Sequence, residues 1–211
     1  MIKTLSRSVA YNLAEGGISQ IGRKVLARIR SWIFSDDVWL IYRLSTFGQC
    51  ESRSGLLEQR SMSFADLQRW GYFKALAFPE AIKARLQRGT VCHGFFVDDD
   101  LVHINWTTHE YLEIDTTLMV SAPGGVGSFD TYTIPRHRRK GYQSTALMTL
   151  QPLLAAQGKT HILTAIEADH AISIKGISNG GGQFVGSITR RVRLGKISII
   201  IEGDGLVLYD R

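Results

Sequence analysis

Cysteine is nearly missing from this chain: 211 residues hold two, Cys50 and Cys92. Two isolated thiols build neither a disulfide framework nor a ligand pattern, so a reducing cytoplasm is the expected setting and no metal is expected. No stretch approaches the ~18 consecutive apolar residues of a membrane-spanning helix. The opening MIKTLSRSVAYNLAEGG has no apolar core before a small-residue cleavage site, so no secretory leader is expected. The Gly-x4-Gly-Lys-Ser/Thr phosphate loop is absent, as is Gly-x-Gly-x-x-Gly. These absences set aside membrane spans, disulfide scaffolds and the two commonest nucleotide cradles. No internal repeat or low-complexity tract is visible.

What is present reads as a folded enzyme-sized domain. The hydrophobic fraction is 44% and the charged fraction 21%, within the range of globular chains. The length suits one α/β domain with a modest appendage. Lys and Arg number 25 against 19 Asp and Glu, a net charge of +6, and the excess is concentrated. Lys3, Arg7, Arg23, Lys24, Arg28 and Arg30 face the single acid Glu15 in residues 1–35, and Arg136-His137-Arg138-Arg139-Lys140 forms a second, dense run. Nucleic-acid-binding domains instead spread cations over a face with aromatics between them, so a nucleic-acid partner is not expected.

In residues 16–35, Ile18, Ile21, Val25, Ile29 and Trp32 recur at three- and four-residue steps, one stripe of a helix with Arg23, Lys24 and Arg30 turned away. Such a stripe packs on its own domain or on a second copy of the chain in a homodimer. Alternatively it lies on an anionic membrane surface, which would place the protein at the inner face of the membrane. Residues 1–35 are therefore expected to form a basic helical extension and 36–211 the main domain.

Along that domain, residues 38–46 read as a strand. Ser63 with Asp66 three residues on marks a capped helix start, running to about residue 72. Pro79 opens a second helix and Gly89 closes it. Residues 90–97 and 101–108 form strands joined at Asp98-Asp99-Asp100. Residues 111–121 continue the sheet, and 122–127 (Ala-Pro-Gly-Gly-Val-Gly) read as a loop. A strand at 128–134 leads to a helix over 141–157, in which Pro152 predicts a kink or an early end. A strand at 160–166, a short helix at 170–179 and strands at 183–193 and 196–201 complete an α/β (α+β) fold, with a mixed central sheet flanked by helices.

Chemistry concentrates where the strand ends at Pro135, a basic turn follows, and Gly141 opens a helix. The first N–H groups of a helix lack internal partners and carry partial positive charge, so an anion is their natural ligand. Arg138, Arg139 and Lys140 add formal charge, and Gly141 lets an anion approach the backbone. A phosphate-bearing ligand follows from this local arrangement; a merely solvated basic turn is the alternative.

With Pro135 followed by Arg138-Arg139-Lys140-Gly141-Tyr142-Gln143, the sequence resembles the GNAT superfamily of acetyl-CoA-dependent N-acetyltransferases, whose motif is Arg-x-x-Gly-x-Gly/Ala opening a helix. The order of elements over about 36–202 is also similar, with Gln157-Gly158-Lys159, Ile166-Glu167, Ser173 and Gly180 to Gly182 falling in sequence. The resemblance implies acetyl-CoA, or another acyl-CoA, as co-substrate. Backbone groups at Thr133 and Ile134 would meet its pantetheine arm, and Arg138, Arg139, Lys140, Gly141, Tyr142, Gln143 and Ser144 its pyrophosphate. His170 and Ser173 fall on the late helix of the same site. The reaction implied is direct attack of a small-molecule primary amine on the thioester, which needs positioning, an oxyanion donor and a proton acceptor. Glu167, Asp130 and His109 are the candidate bases. Each has a plainer reading as a helix cap, an arginine partner or a solvated loop residue.

The motif departs from the family in three places. Gln143 stands where the family has Gly or Ala, His170 or Asp169 where members often have an Asn at the start of the late helix, and Ile177 where many members have the tyrosine that protonates the leaving thiolate. The segments around Trp106 and Tyr132 resemble a subgroup found beside surface-polysaccharide or lipid-linked pathways, which implies an amino-sugar acceptor. Two further readings stay open: a non-catalytic CoA-binding module, and an anionic-surface binder acting through residues 16–35.

Overall fold

The computed structural model describes residues 34–47, 57–70, 79–115 and 117–209. The expected amphipathic helix at 16–35 lies outside them except for its last two residues, which are strand: β1 begins at Phe34 and runs Phe34–Ser45. The described elements continue as β2 (Glu58–Ser61), α1 (Phe64–Arg69), α2 (Pro79–Gln87), β3 (Val91–Val97), β4 (Asp100–Glu113), β5 (Met119–Thr133), a 3-10 turn (Pro135–His137), α3 (Tyr142–Ala156), β6 (His161–Glu167), α4 (Ala171–Asn179), β7 (Gln183–Arg193) and β8 (Lys196–Glu202). The strand order is β2-β3-β4-β5-β6-β1-β7-β8. Pairing is antiparallel from β2 to β5 and between β6 and β1, while β5 and β6 run parallel, so the sheet is mixed as expected.

The described residues divide into two compact units, 34–38 with 188–201 and, in the other, those between 39 and 187 with 202–209. In the smaller unit, Arg190 donates to Asp37 at 2.7 Å, and Arg191 and Arg193 both reach Asp36. The Arg193 hydrogen bond is the largest influence on the Asp36 carboxyl and holds it below its usual range.

Local chemistry explains the elements of the larger unit. The Ser63 hydroxyl accepts from the Asp66 N–H at 3.2 Å and the Asp66 carboxylate accepts from the Ser63 N–H at 2.9 Å, a reciprocal cap that starts α1. Asp98 and Asp99 both adopt positive φ, 49° and 61°, as a two-residue hairpin turn requires, and so join β3 to β4. The segment 122–127 is not a loop. It is the middle of β5, with Gly127 paired to Thr108. Its glycines permit close contact: a Cβ at Gly127 would sit 2.1 Å from the Tyr111 carbonyl, and one at Gly125 would strike the His161 ring. The break between β4 and β5 therefore falls at residues 114–118, not after 108. Strand β2 has no counterpart in the sequence reading.

One face of the sheet is covered by α3 and α4. Tyr42, Leu44, Phe95, Val126 and Ile162 pack there against Ala146, Leu147, Leu150, Leu154 and Ile177. Trp106 points to the other face, where Arg85 of α2 lies over its ring, because neighbouring strand residues alternate faces. Helix α3 continues past Pro152 to Ala156, so the expected early end does not occur. Pro152 is exposed, which leaves its ring clear of the core.

Candidate active site

A cleft opens because two parallel strands are claimed by different neighbours. Strands β5 and β6 pair only over Val126–Ile162, Gly127–Leu163 and Ser128–Thr164. Beyond that point β5 stays with β4, Tyr132 opposite Ile104 and Thr133 opposite His103. Strand β6 stays with β1, Ala165 opposite Ile41 and Glu167 opposite Trp39. A bulge starts the divergence. Phe129 pairs with Trp106 and Tyr132 with Ile104, so Asp130 and Thr131 together face Asn105, with Asp130 at φ 45°. The cleft, of about 180 Å3, is lined by these bulge residues, by Thr164 to Glu167, and by Gln143, His170, Ser173 and Ile177 of the covering helices.

Helix α3 begins at the rim. Gly141 is its N-cap at φ 80° with no side-chain cap, and no acid lies in the first turn. The Thr145 N–H is the first to return to a helical carbonyl, that of Gly141 at 3.1 Å, so the N–H groups of Tyr142, Gln143 and Ser144 precede the helical ladder. Arg139 also has positive φ, 67°. A Cβ built on Gly141 would meet nothing nearer than the Ser144 hydroxyl at 3.8 Å. A phosphate fits this donor set.

The flanking basic side chains divide into two kinds. Arg136 and His137 both engage Asp100, the His137 Nε2 at 2.8 Å, and so anchor the turn to β4. Burial raises the Asp100 carboxyl, but hydrogen bonds from Arg136 and His137 outweigh this and hold it below its usual range. Arg138 lies over the Tyr132 ring and donates to the Thr133 carbonyl at 3.3 Å, while Arg139 and Lys140 are exposed.

Of the backbone groups expected at a ligand arm, the Ile134 N–H is already given to the Val102 carbonyl at 3.1 Å. Alternation along an antiparallel pair then turns the N–H and C=O of Thr133 away from β4, to the side on which the cleft lies. The Thr133 hydroxyl is 2.8 Å from His103 Nδ1.

The three candidate bases do not converge. Glu167 is exposed and lines the cleft. Asp130 lines it too, but its Oδ2 is held by Arg85, which lies over the Phe129 ring. His109 lines a different cavity, beside His93, Thr107 and Leu150. His170 and Ser173 reach the cleft from the start of α4, where the Ser173 N–H is bonded to the His170 carbonyl. Among the described residues no cluster of His, Cys, Asp or Glu could hold a metal.

Sequence reasoning missed Phe129, Thr131 and Thr164 in the lining and Arg85 behind it. No local motif marks Arg85; it meets Asp130 through a separation of 45 residues.

No protein-family model matches the sequence, and no curated protein does either. Solved structures do match. An acetyltransferase of the GNAT family from Colwellia psychrerythraea superposes with a TM-score of 0.52 at 13% identity, over 81% of this chain and 57% of that one. A protein assigned to the GNAT family from Novosphingobium aromaticivorans gives a TM-score of 0.53 at 16% identity, over 74% of this chain and 64% of that one. This chain thus spans less than two thirds of either. A mixed sheet parted between two parallel strands, with a helix N-terminus at the opening, defines the fold class. The chain has the GNAT fold.

Proposed function

We propose that this protein is an acyltransferase that moves an acetyl or other short acyl group from acyl-CoA to a primary amine of a small molecule, an amino sugar among the candidates. The observation that carries this reading is the coincidence of the cleft between β5 and β6 with the uncapped, cation-flanked start of α3. In open α/β sheets a ligand settles outside the carboxyl ends of diverging strands. The N–H groups of residues 142–144, with Arg138, Arg139 and Lys140, would hold the diphosphate, and Thr133 would direct its N–H to the arm that enters the cleft.

Acyl-CoA supplies an activated thioester. The chain's own task is to align an uncharged amine with that carbonyl, so that the C–N bond forms as the C–S bond breaks. The amine must first shed a proton, and Glu167 is the group in this reading that accepts it. Asp130, tied to Arg85, orients the bulge instead. Ile177 lines the cleft where a tyrosine would protonate the thiolate, and this favours a second reading, a CoA-binding module without turnover.

Titration calorimetry with acetyl-CoA and with CoA tests the first step. Binding is expected, and Gly141→Glu is expected to weaken it at least ~100-fold, since it places a carboxylate and a strained φ at the anion-binding turn. A folded wild-type protein that gives no heat with either ligand overturns the acyl-CoA reading. Thiol release in the presence of amines then separates enzyme from module.

The basic residues 16–35 are a further proposed contact, with an anionic membrane surface or a second copy of the chain. No described helix is long and apolar enough to cross a membrane.

A further inference from the structure

We propose that Gly176 is a positioning residue: it receives the Gln143 side chain and so keeps the anion-binding turn open, although no small residue stands at 143. The inference rests on the acyl-CoA reading above. A glutamine at the second residue of α3 has two routes. Folded back over the turn, it would cover the amides of residues 142–144. Instead it lies along α4. A Cβ built on Gly176 would sit 2.5 Å from Gln143 Oε1, 3.1 Å from its Cδ and 3.6 Å from its Cγ. No atom of Gln143 comes within 4 Å of the corresponding position at Gly141. The side chain therefore leaves the turn and occupies the space that any other residue at 176 would fill.

The same pair of helices is joined by further contacts. Gln151 Nε2 donates to the Gly180 carbonyl at 3.0 Å, and Leu147 Cδ1 lies 3.4 Å from where a Gly180 Cβ would be. Positions 143, 147 and 151 thus form one face of α3 laid against Gly176 of α4 and the Gly180 that caps its end, at the four-residue spacing that puts side chains on one stripe. Gly176 has ordinary helical φ, so its lack of a side chain is not a backbone requirement. A helix interior disfavours glycine, and the contact with Gln143 accounts for its presence.

The test is a double-mutant cycle on the full chain with Gly176→Ala, Gln143→Ala and the double variant, read by calorimetric titration with CoA. Gly176→Ala is expected to weaken CoA about tenfold when Gln143 is present and less than about twofold in the Gln143→Ala background. Wild-type affinity in Gly176→Ala, or the same loss in both backgrounds, overturns the proposal. If the wild type binds no CoA, the acyl-CoA reading fails on its own, and thermal unfolding of the same four proteins decides the packing claim. Gly176→Ala should then raise Tm less with Gln143 present than with Gln143→Ala, because alanine favours the helix in both backgrounds and must displace the Gln143 side chain in only one. Equal shifts in both backgrounds overturn it.

Discussion

Single residues carry the sharpest expectations. Glu167 is exposed at the end of β6 on the cleft and is the group we propose takes the ammonium proton. Its replacement by Gln keeps shape and removes basicity, so acyl transfer should fall about 100-fold or more, with CoA affinity unchanged. Equal turnover in wild type and Glu167→Gln would assign the proton to water. The buried histidines act on stability instead. Burial alone holds His93 at about 4 and His103 at about 3, below the ~6.5 of an exposed imidazole. Below pH ~6.5 the unfolded chain takes up protons that the folded one refuses. The stabilisation from keeping these rings neutral is therefore complete above pH ~6.5 and is lost as pH falls toward 4 and then 3. Urea unfolding at pH 7.5 and pH 4.5 should differ by on the order of 2 kcal/mol per ring. A flat profile would contradict the assignment.

At the scale of elements, α3 carries a cost in its own sequence. Pro152 cannot donate to the Met148 carbonyl, yet the helix continues to Ala156. Pro152→Ala should stabilise the protein by about 1–3 kcal/mol, the gain reduced by the extra freedom of the unfolded chain; a lower urea midpoint would mean that the ring makes a contact worth keeping. The helices and most strands were legible because their signals are local: the Ser63–Asp66 cap, the Asp98-Asp99 turn, and the Pro135-to-Gly141 boundary between strand and helix. The 122–127 segment was not, since glycines that read as a loop were there to let Tyr111 and His161 come close. The cleft was half legible. Local chemistry marks the anion-binding turn, whereas the bulge at Asp130 and its arginine depend on pairings across the sheet that no sequence window contains.

For the whole molecule, a net charge of +6 helps any anionic ligand arrive. The exposed Arg139 and Lys140 face solvent, and salt screens such charges over about 10 Å at 0.1 M. CoA affinity should fall several-fold between 50 and 500 mM salt, while the N–H part of the site persists; salt-independent affinity would show that the basic turn takes no part. The strand order also has a consequence in time. Residues 39–45 of β1 find their partners in residues 161–167 of β6, so the gap from Ser45 to His161 is 161 − 45 = 116 residues. A ribosome adding about 5–20 residues each second needs roughly 6–23 seconds to cross it. Throughout that interval an early, apolar strand waits on the growing chain with both edges unclaimed, since β6 and β7 are both made after it, and synthesis itself sets when the cleft can first exist.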